Sequence, residues 1–308
     1  MPDEPVIRTW DLTKQFKSTI AVDNLTMEVP RGEVFGFLGP NGAGKTTTIA
    51  MLLGLIHPTA GGAEVLGCDI RKGLRPALRR TGATIENPAF YPYLTGRDNL
   101  RVAALSSGGA GIERIDAVLE RVGLAGRGSD LFKVYSTGMK QRLALAAALL
   151  HDPEFLILDE PTNGLDPAGI QETRTMLRRM VDEQGKSVFL SSHLLHEVQQ
   201  VCDRVVIIDR GHVIAQGRVD ELLRQQEAIE IELIESEIEQ AEAILRGLDW
   251  VDAVRREDLR LHLTAPADRS RQIAEALAAS EVYPTQLVRT SSTLEDLFLS
   301  LTRDNDHA

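Results

Sequence analysis

The sequence predicts an α/β fold: a mainly parallel sheet with an antiparallel β subdomain before it, a helical lobe inserted in it and a small α+β domain after it. Three observations carry this expectation. The short apolar runs VFGFLG, FLILDE and SVFLSSH read as buried strands, and helix-like segments alternate with them. Between Thr95 and Leu150 the pattern is almost wholly helical. After about Gln225 the character changes to a second alternation of strands and helices.

Taken in order, VIRTWDLTKQF and AVDNLTMEVP look like antiparallel strands. VFGFLG ends in glycine and is followed by KTTTIAMLLGL as a helix. PAGIQETRTMLRRMVDEQG, between FLILDE and SVFLSSH, has Pro at its start and Gly just past its end, the asymmetry of a helix. Beyond Gln225, AIEIELIE alternates as a half-buried strand, and SEIEQAEAILRGL reads as a helix capped by Ser236. WVDAVRR and LRLHLT flank the polar pair Glu257–Asp258 like a hairpin. DRSRQIAEALAAS is helical, VYPTQLVRT extended and TLEDLFLSLT an amphipathic helix, while the final RDNDHA is expected to be disordered. The order β-α-β-β-α-β is that of the ferredoxin-like motif. The expected division is 1–225, with a helical lobe at about 87–150, and 226–308.

A chain of 308 residues favours two domains. The net charge of −11 argues against a general nucleic-acid binder and against simple adsorption to an anionic membrane. Cys68 and Cys202 match no metal spacing and form no disulfide framework, so they read as small, partly buried residues in a reducing compartment. MPDEPVIRTW lacks the basic and apolar regions of a secretory signal, and no apolar run approaches the roughly 20 residues that span a bilayer. The expectation is a soluble cytosolic chain whose membrane link, if any, comes through a partner.

GPNGAGKT, Gly39 to Thr46, matches G-x-x-x-x-G-K-[ST] between an expected strand and an expected helix. Gly39, Pro40, Asn41, Gly42, Ala43 and Gly44 supply a backbone that can wrap a phosphate. Lys45 reaches the β- and γ-phosphates, the Thr46 hydroxyl can ligate Mg²⁺, and Thr47 continues the nucleotide-binding run. FLILDE supplies the second half: Asp159 can hold Mg²⁺, and Glu160 can accept a proton from an attacking water. YSTGMKQR, Tyr135 to Arg142, opens a run of strong helix formers. By itself it is either a plain N-cap or a helix start aimed at an anion.

Together these motifs resemble the ATPase subunit of an ABC transporter, strongly over residues 5–225 and weakly beyond. YSTGMKQR falls where that family carries its signature sequence. The resemblance implies that Ser136 and Gly138 contact the γ-phosphate of ATP bound on an opposite subunit. Tyr135 stands for the usual Leu, Thr137 for the first Gly of the pair and Met139 for the usual Gln. NGLD, with Asp166, resembles the loop that crosses between subunits. His193 in LSSHLLHE resembles the switch histidine that senses the γ-phosphate, although a lone histidine there would otherwise read as a surface helix start. Phe16 lies where the family stacks an aromatic ring on adenine. Glu86 occupies the position of a usual glutamine in the loop joining the nucleotide core to the helical lobe. An oxygen ligand to Mg²⁺ or water survives that change, but an ionised Glu cannot donate. IENPAFYPYLTGRDNL and the tail STLEDLFLSLT are similar to the branch that exports antibiotics and other amphiphiles, including the daunorubicin and bacitracin resistance types.

The implied protein is an ATPase that binds ATP and Mg²⁺, dimerises head to tail and drives a separate multi-helix membrane permease from the inner face of the membrane. An ABC-type ATPase switch acting on a non-membrane partner is the alternative. The spacing from Thr46 to Ser136 leaves no room for the long coiled coil of DNA-repair relatives, and the chain holds one ATPase half where ribosome-acting relatives hold two. A switch that binds ATP without hydrolysing it is disfavoured by Glu160 and His193.

Overall fold

A computed structural model describes residues 4–85, 89–224, 228–251, 253–265, 269–290 and 293–305. The chain divides into two compact units between Gly217 and Arg218.

The first unit begins with two long strands, β1 (Ile7–Phe16) and β2 (Thr19–Val29), and then β3 (Val34–Leu38), all five of whose residues are buried. Helix α1 (Lys45–Leu52), strands β4 (Ala60–Val65) and β5 (Cys68–Asp69), the single-turn helix α2 (Arg75–Leu78) and β6 (Thr81–Thr84) come next. Three helices, α3 (Gly96–Ser106), α4 (Ile115–Arg121) and α5 (Thr137–Leu149), then run with short 3-10 turns between them. The chain returns through β7 (Phe155–Leu158), α6 (Pro167–Asp182), β8 (Ser187–Ser192), α7 (Leu195–Gln199), β9 (Arg204–Asp209) and β10 (His212–Arg218).

These strands form two sheets. One has the order β2-β1-β4-β5 and is antiparallel throughout. The other has the order β10-β9-β3-β8-β7-β6, with β9, β3, β8, β7 and β6 parallel. The central parallel strands are short and apolar because both of their faces are buried, so nothing selects for alternation. Phe37, Phe155 and Phe189 are fully buried there, and Phe37 and Phe189 meet with ring centroids 5.5 Å apart. Burying each such side chain contributes roughly 1.5–3 kcal/mol. A single hydrophobic cluster runs from Ile7 and Val65 of the antiparallel sheet to Phe155 and Phe189 of the parallel one.

Strand register and one tight hairpin shape the ligand-facing end of this unit. Pairing of Leu38 with Ser192 and of Leu158 with Leu190 brings the C-terminal ends of β3, β7 and β8 together, where open α/β sheets bind ligands. Between β9 and β10 the turn Arg210–Gly211, with φ of 47° and 86°, has the backbone of a tight hairpin. Gly211 accepts from the Asp23 amide at 2.9 Å and donates to the Ala43 carbonyl at 3.1 Å.

The second unit holds α8 (Val219–Arg224), β11 (Ala228–Glu232), α9 (Ile238–Arg246), β12 (Ala253–Glu257), β13 (Arg260–Thr264), α10 (Ser270–Ala278), β14 (Gln286–Thr290) and α11 (Leu294–Asn305). Its sheet is antiparallel with the order β12-β13-β11-β14, the split arrangement expected of β-α-β-β-α-β. Ile229, Ile231, Leu261, Leu263, Ile273 and Leu277 fill its core.

Three local expectations are corrected. Helix α11 runs to Asn305, so the first three residues of RDNDHA continue a helix rather than lying disordered. Ser236 does not cap α9: a turn closed by the Glu237 amide on the Ile234 carbonyl, 3.0 Å, delays the helix, and Glu237 stands at its N-cap without a side-chain bond. The second hairpin turns at Asp258–Leu259 rather than Glu257–Asp258, because Glu257 still pairs with Arg260 and Asp258 takes the left-handed φ of 52°.

Candidate functional site

The loop from Gly39 to Gly44 leaves the buried end of β3 and feeds α1. Gly44 has φ 107°, and a Cβ there would overlap the Ala21 carbonyl oxygen, so only glycine fits. Gly42 also has a left-handed φ, 84°, but its missing Cβ would face open space. The loop is therefore a concave backbone with room above it. Lys45, 6% exposed, points its ammonium at the Gly39 carbonyl at 2.8 Å, the Pro40 carbonyl at 3.2 Å and Glu160 Oε1 at 3.3 Å.

Strand β7 ends at Leu158; the next residue, Asp159, is buried, and Glu160 comes after it with φ 49°. Thr46 Oγ1 donates to Asp159 Oδ2 at 2.9 Å. Ser191 Oγ donates to Asp159 Oδ1 at 2.5 Å and accepts from the Glu160 amide at 2.9 Å. Glu160 Oε2 meets His193 Nδ1 at 2.8 Å. When that nitrogen carries the proton, the imidazole donates to the carboxylate and leaves Nε2 as an acceptor. Ala21, Asn41, Gly42, Gly44, Lys45, Thr46, Thr47, Glu160, Asn163 and His193 line a cavity of about 350 Å³. That size suits a nucleotide's phosphate arm.

The structure thus gathers Asn41, Gly42, Gly44, Lys45, Thr46, Thr47, Glu160 and His193 around one cavity, with Gly39, Pro40, Ala43 and Asp159 supporting it. Ser136 and Gly138 do not line it. Ser136 is exposed and caps α5, accepting from the Met139 amide at 3.2 Å. Asp166 caps α6 through the Gly169 amide, 3.0 Å. Phe16, 47% exposed, ends β1 outside the cavity lining with the Lys14 ammonium 4.9 Å from its ring centroid. Glu86 lies outside the described residues.

Ala21 and Asn163 line the cavity and Ser191 supports it, although no sequence pattern points to any of the three. An alanine and a serine inside strands and an asparagine at the head of NGLD carry no signal of their own. Only strand register brings them in.

The residues fit a magnesium nucleotide. Gly42 opens into the space where a phosphate would lie, and a hydroxyl and a carboxylate face each other across 2.9 Å, a hard oxygen pair of the kind Mg²⁺ accepts. Among the described residues no three His, Cys, Asp or Glu side chains are grouped to hold a metal unaided. Two protein ligands completed by phosphate and water oxygens are the usual arrangement for Mg²⁺.

A concave glycine loop ahead of a helix, with a buried aspartate and a glutamate at the end of a parallel strand two places away, defines a P-loop nucleoside triphosphatase. Residues 22–163 match the model of the family described as ABC transporter. The chain is 40% identical over 298 residues to the bacitracin transport ATP-binding protein BcrA of Bacillus licheniformis, covering 96% of this chain and 97% of that one. It is 38% identical over 299 residues to the daunorubicin resistance ATP-binding protein DrrA3 of Streptomyces coeruleorubidus, covering 95% and 94%. A solved ATP-binding subunit of an ABC transporter superposes with a TM-score of 0.64 at 32% identity, covering 72% of this chain and 93% of that one. The chain belongs to the ABC transporter family, as an ATP-binding and ATP-hydrolysing subunit.

Proposed function

We propose that the chain powers export of an antibiotic or other amphiphile through a separate membrane permease. The observation that carries the reading is the single cavity onto which Lys45, Thr46, Glu160 and His193 converge. The names of the relatives BcrA and DrrA3, bacitracin transport and daunorubicin resistance, support the cargo class. No helix among the described residues is long and apolar enough to cross a membrane. The reading assigns the translocation path to another chain, with this one seated on the inner face through it.

In this reading the loop amides of residues 39–44 cradle the phosphates. The Lys45 ammonium leaves the Gly39 and Pro40 carbonyls for the phosphate oxygens, and its pairing with Glu160 loosens at the same moment. Thr46 and Asp159 would hold Mg²⁺, with Glu86 as a further oxygen donor; the ion would supply positive charge against the phosphates. Glu160 takes the proton of the attacking water, and His193 holds Glu160 through Nδ1–H and, with a proton on Nε2 as well, donates to the γ-phosphate. Phe16 stacks on the adenine. Two copies meet head to tail, so that Ser136 and Gly138 of one close the site of the other, with Asp166 at the crossing. Exposure of Ser136 at a helix N-terminus supports this, since the free amides there are a ready anion site. Residues 1–225 form the nucleotide-binding domain, and 226–308 stabilise the dimer or tune its closed state without touching ATP.

The test is reconstitution in membrane vesicles with a candidate multi-helix permease from the same organism. Bacitracin or an anthracycline should stimulate ATP hydrolysis severalfold and accumulate in inverted vesicles. Hydrolysis indifferent to both permease and amphiphile would overturn the export reading and favour a switch on a non-membrane partner.

A further inference from the structure

Ser191 lies on β8, and pairing of Leu158 with Leu190 sets it alongside Asp159. It is fully buried. Its one hydroxyl makes two bonds to two successive residues of the neighbouring loop: it donates to Asp159 Oδ1 at 2.5 Å and accepts from the Glu160 amide at 2.9 Å. A serine hydroxyl has one hydrogen to give, so both the donor and one acceptor site are committed here. The two partners are constrained elsewhere as well. The other oxygen of Asp159 faces Thr46 at 2.9 Å, which aligns the carboxylate only if its Oδ1 is also held. Glu160 has φ 49°, a left-handed backbone that costs a non-glycine residue energy and persists only where its surroundings hold it. The turn bond from the Asn163 amide to the Glu160 carbonyl, 3.1 Å, holds one side of that strained peptide, and Ser191 holds the other.

We infer that Ser191 is a positioning residue: one hydroxyl fixes the carboxylate that holds Mg²⁺ and the backbone from which the general base projects, and so sets the spacing between metal and base. The inference rests on the proposed roles of Asp159 as metal ligand and Glu160 as base. A hydrogen-bond partner behind a metal ligand typically changes metal affinity 10- to 100-fold when removed. Without the hydroxyl, the Asp159 carboxylate is held through Oδ2 alone, and the Glu160 amide loses its partner.

The test measures binding of the β,γ-imido analogue of ATP to the full chain by calorimetry, without Mg²⁺ and across a Mg²⁺ titration. Ser191→Ala should bind the analogue without Mg²⁺ within about twofold of wild type, while the Mg²⁺ midpoint rises roughly tenfold. Turnover at saturating Mg²⁺ should also fall, with little change in KM. A packing role alone would lower the melting temperature and leave the Mg²⁺ midpoint in place. Asp159→Asn, run alongside, should raise the midpoint at least as far. If Asp159→Asn raises it and Ser191→Ala does not, the inference is overturned and the metal reading stands. If Asp159→Asn leaves it unchanged, the metal reading falls and takes the inference with it. Should Ser191→Ala fail to fold, Ser191→Cys keeps nearly the same size with a weaker donor. It should raise the midpoint severalfold, and a wild-type midpoint in that variant overturns the inference.

Discussion

Tyr135 occupies the space that a side chain at Gly96 would need: a Cβ built on Gly96 overlaps the Tyr135 hydroxyl oxygen. That hydroxyl donates to the Arg127 carbonyl at 2.8 Å, and burial, helped by the nearby Asp130 charge, pushes its pKa up, so it stays a donor. The residue that departs from the family's usual Leu is therefore a strut between the starts of α3 and α5. Gly96→Ala should destabilise the chain by about 1–3 kcal/mol through overpacking. Tyr135→Phe should cost about 1 kcal/mol through the lost hydrogen bond. In urea unfolding the double variant should cost less than the sum, because the overlap is with the oxygen that Phe lacks. Strict additivity would show that the two residues do not compete for that space.

Glu160→Gln should bind ATP with near wild-type affinity and hydrolyse it at least 10²-fold more slowly, because an amide fills the same space but takes no proton. The trapped species should be an ATP-bound dimer, visible by light scattering. Near-normal turnover would remove Glu160 from the role of base.

The partner-site reading of Ser136 and Gly138 is separable from a cis role with mixed dimers. With Lys45→Ala in one chain and Gly138→Asp in the other, one site carries both defects and the second is intact. About half the activity should then survive, if the sites act independently. With both substitutions in one chain beside a wild-type chain, each site carries one defect and the dimer should be nearly inactive. The opposite order would place the signature in its own chain's site.

Asp152 sits between Lys186 at 2.9 Å and Arg114 at 3.1 Å, and hydrogen bonds from these two cations lower its pKa to about 2. A depressed carboxylate pKa adds stability that is present above the unfolded value near 3.9 and is lost as pH falls through about 2. Asp152 is 54% exposed, so solvent screening holds the effect to about 1 kcal/mol at pH 7. Asp152→Asn, which tolerates the left-handed φ of 54°, should show that penalty at pH 7 and roughly half of it by pH 3. Equal penalties at both pH values would show that charge is not the cause.

Local chemistry explains what is legible in the sequence. The buried strands, the glycine loop before α1 and the order of the second unit announce themselves within a few neighbouring residues, since period and turn chemistry act at short range. Ser136 is readable as a helix start for the same reason. Ser236 misleads because the competing turn at Ile234–Glu237 depends on backbone bonding that many sequences satisfy. Ala21, Asn163 and Ser191 reach the cavity only through pairing between distant strands and loops, and no stretch around them announces that. Tyr135 is an oddity beside the signature until Gly96 supplies its reason from 39 positions upstream.

The hydrogen bonds of Gly211 carry a mechanical implication. One residue of a hairpin accepts from Asp23 on β2 and donates to Ala43 in the phosphate loop. Gly44 passes so close to the Ala21 carbonyl of β2 that a Cβ there would overlap it. The nucleotide's seat is thereby tied to the antiparallel sheet as well as to the strand it grows from. A load on β2 reaches the phosphate loop through two short bonds, with no flexible linker to absorb it. Compliance within this unit has to be sought elsewhere, in segments such as the one that carries Ser136, whose helix start reaches the seat's lining through one long bond, from Gln141 Nε2 to the Asn163 carbonyl at 3.4 Å.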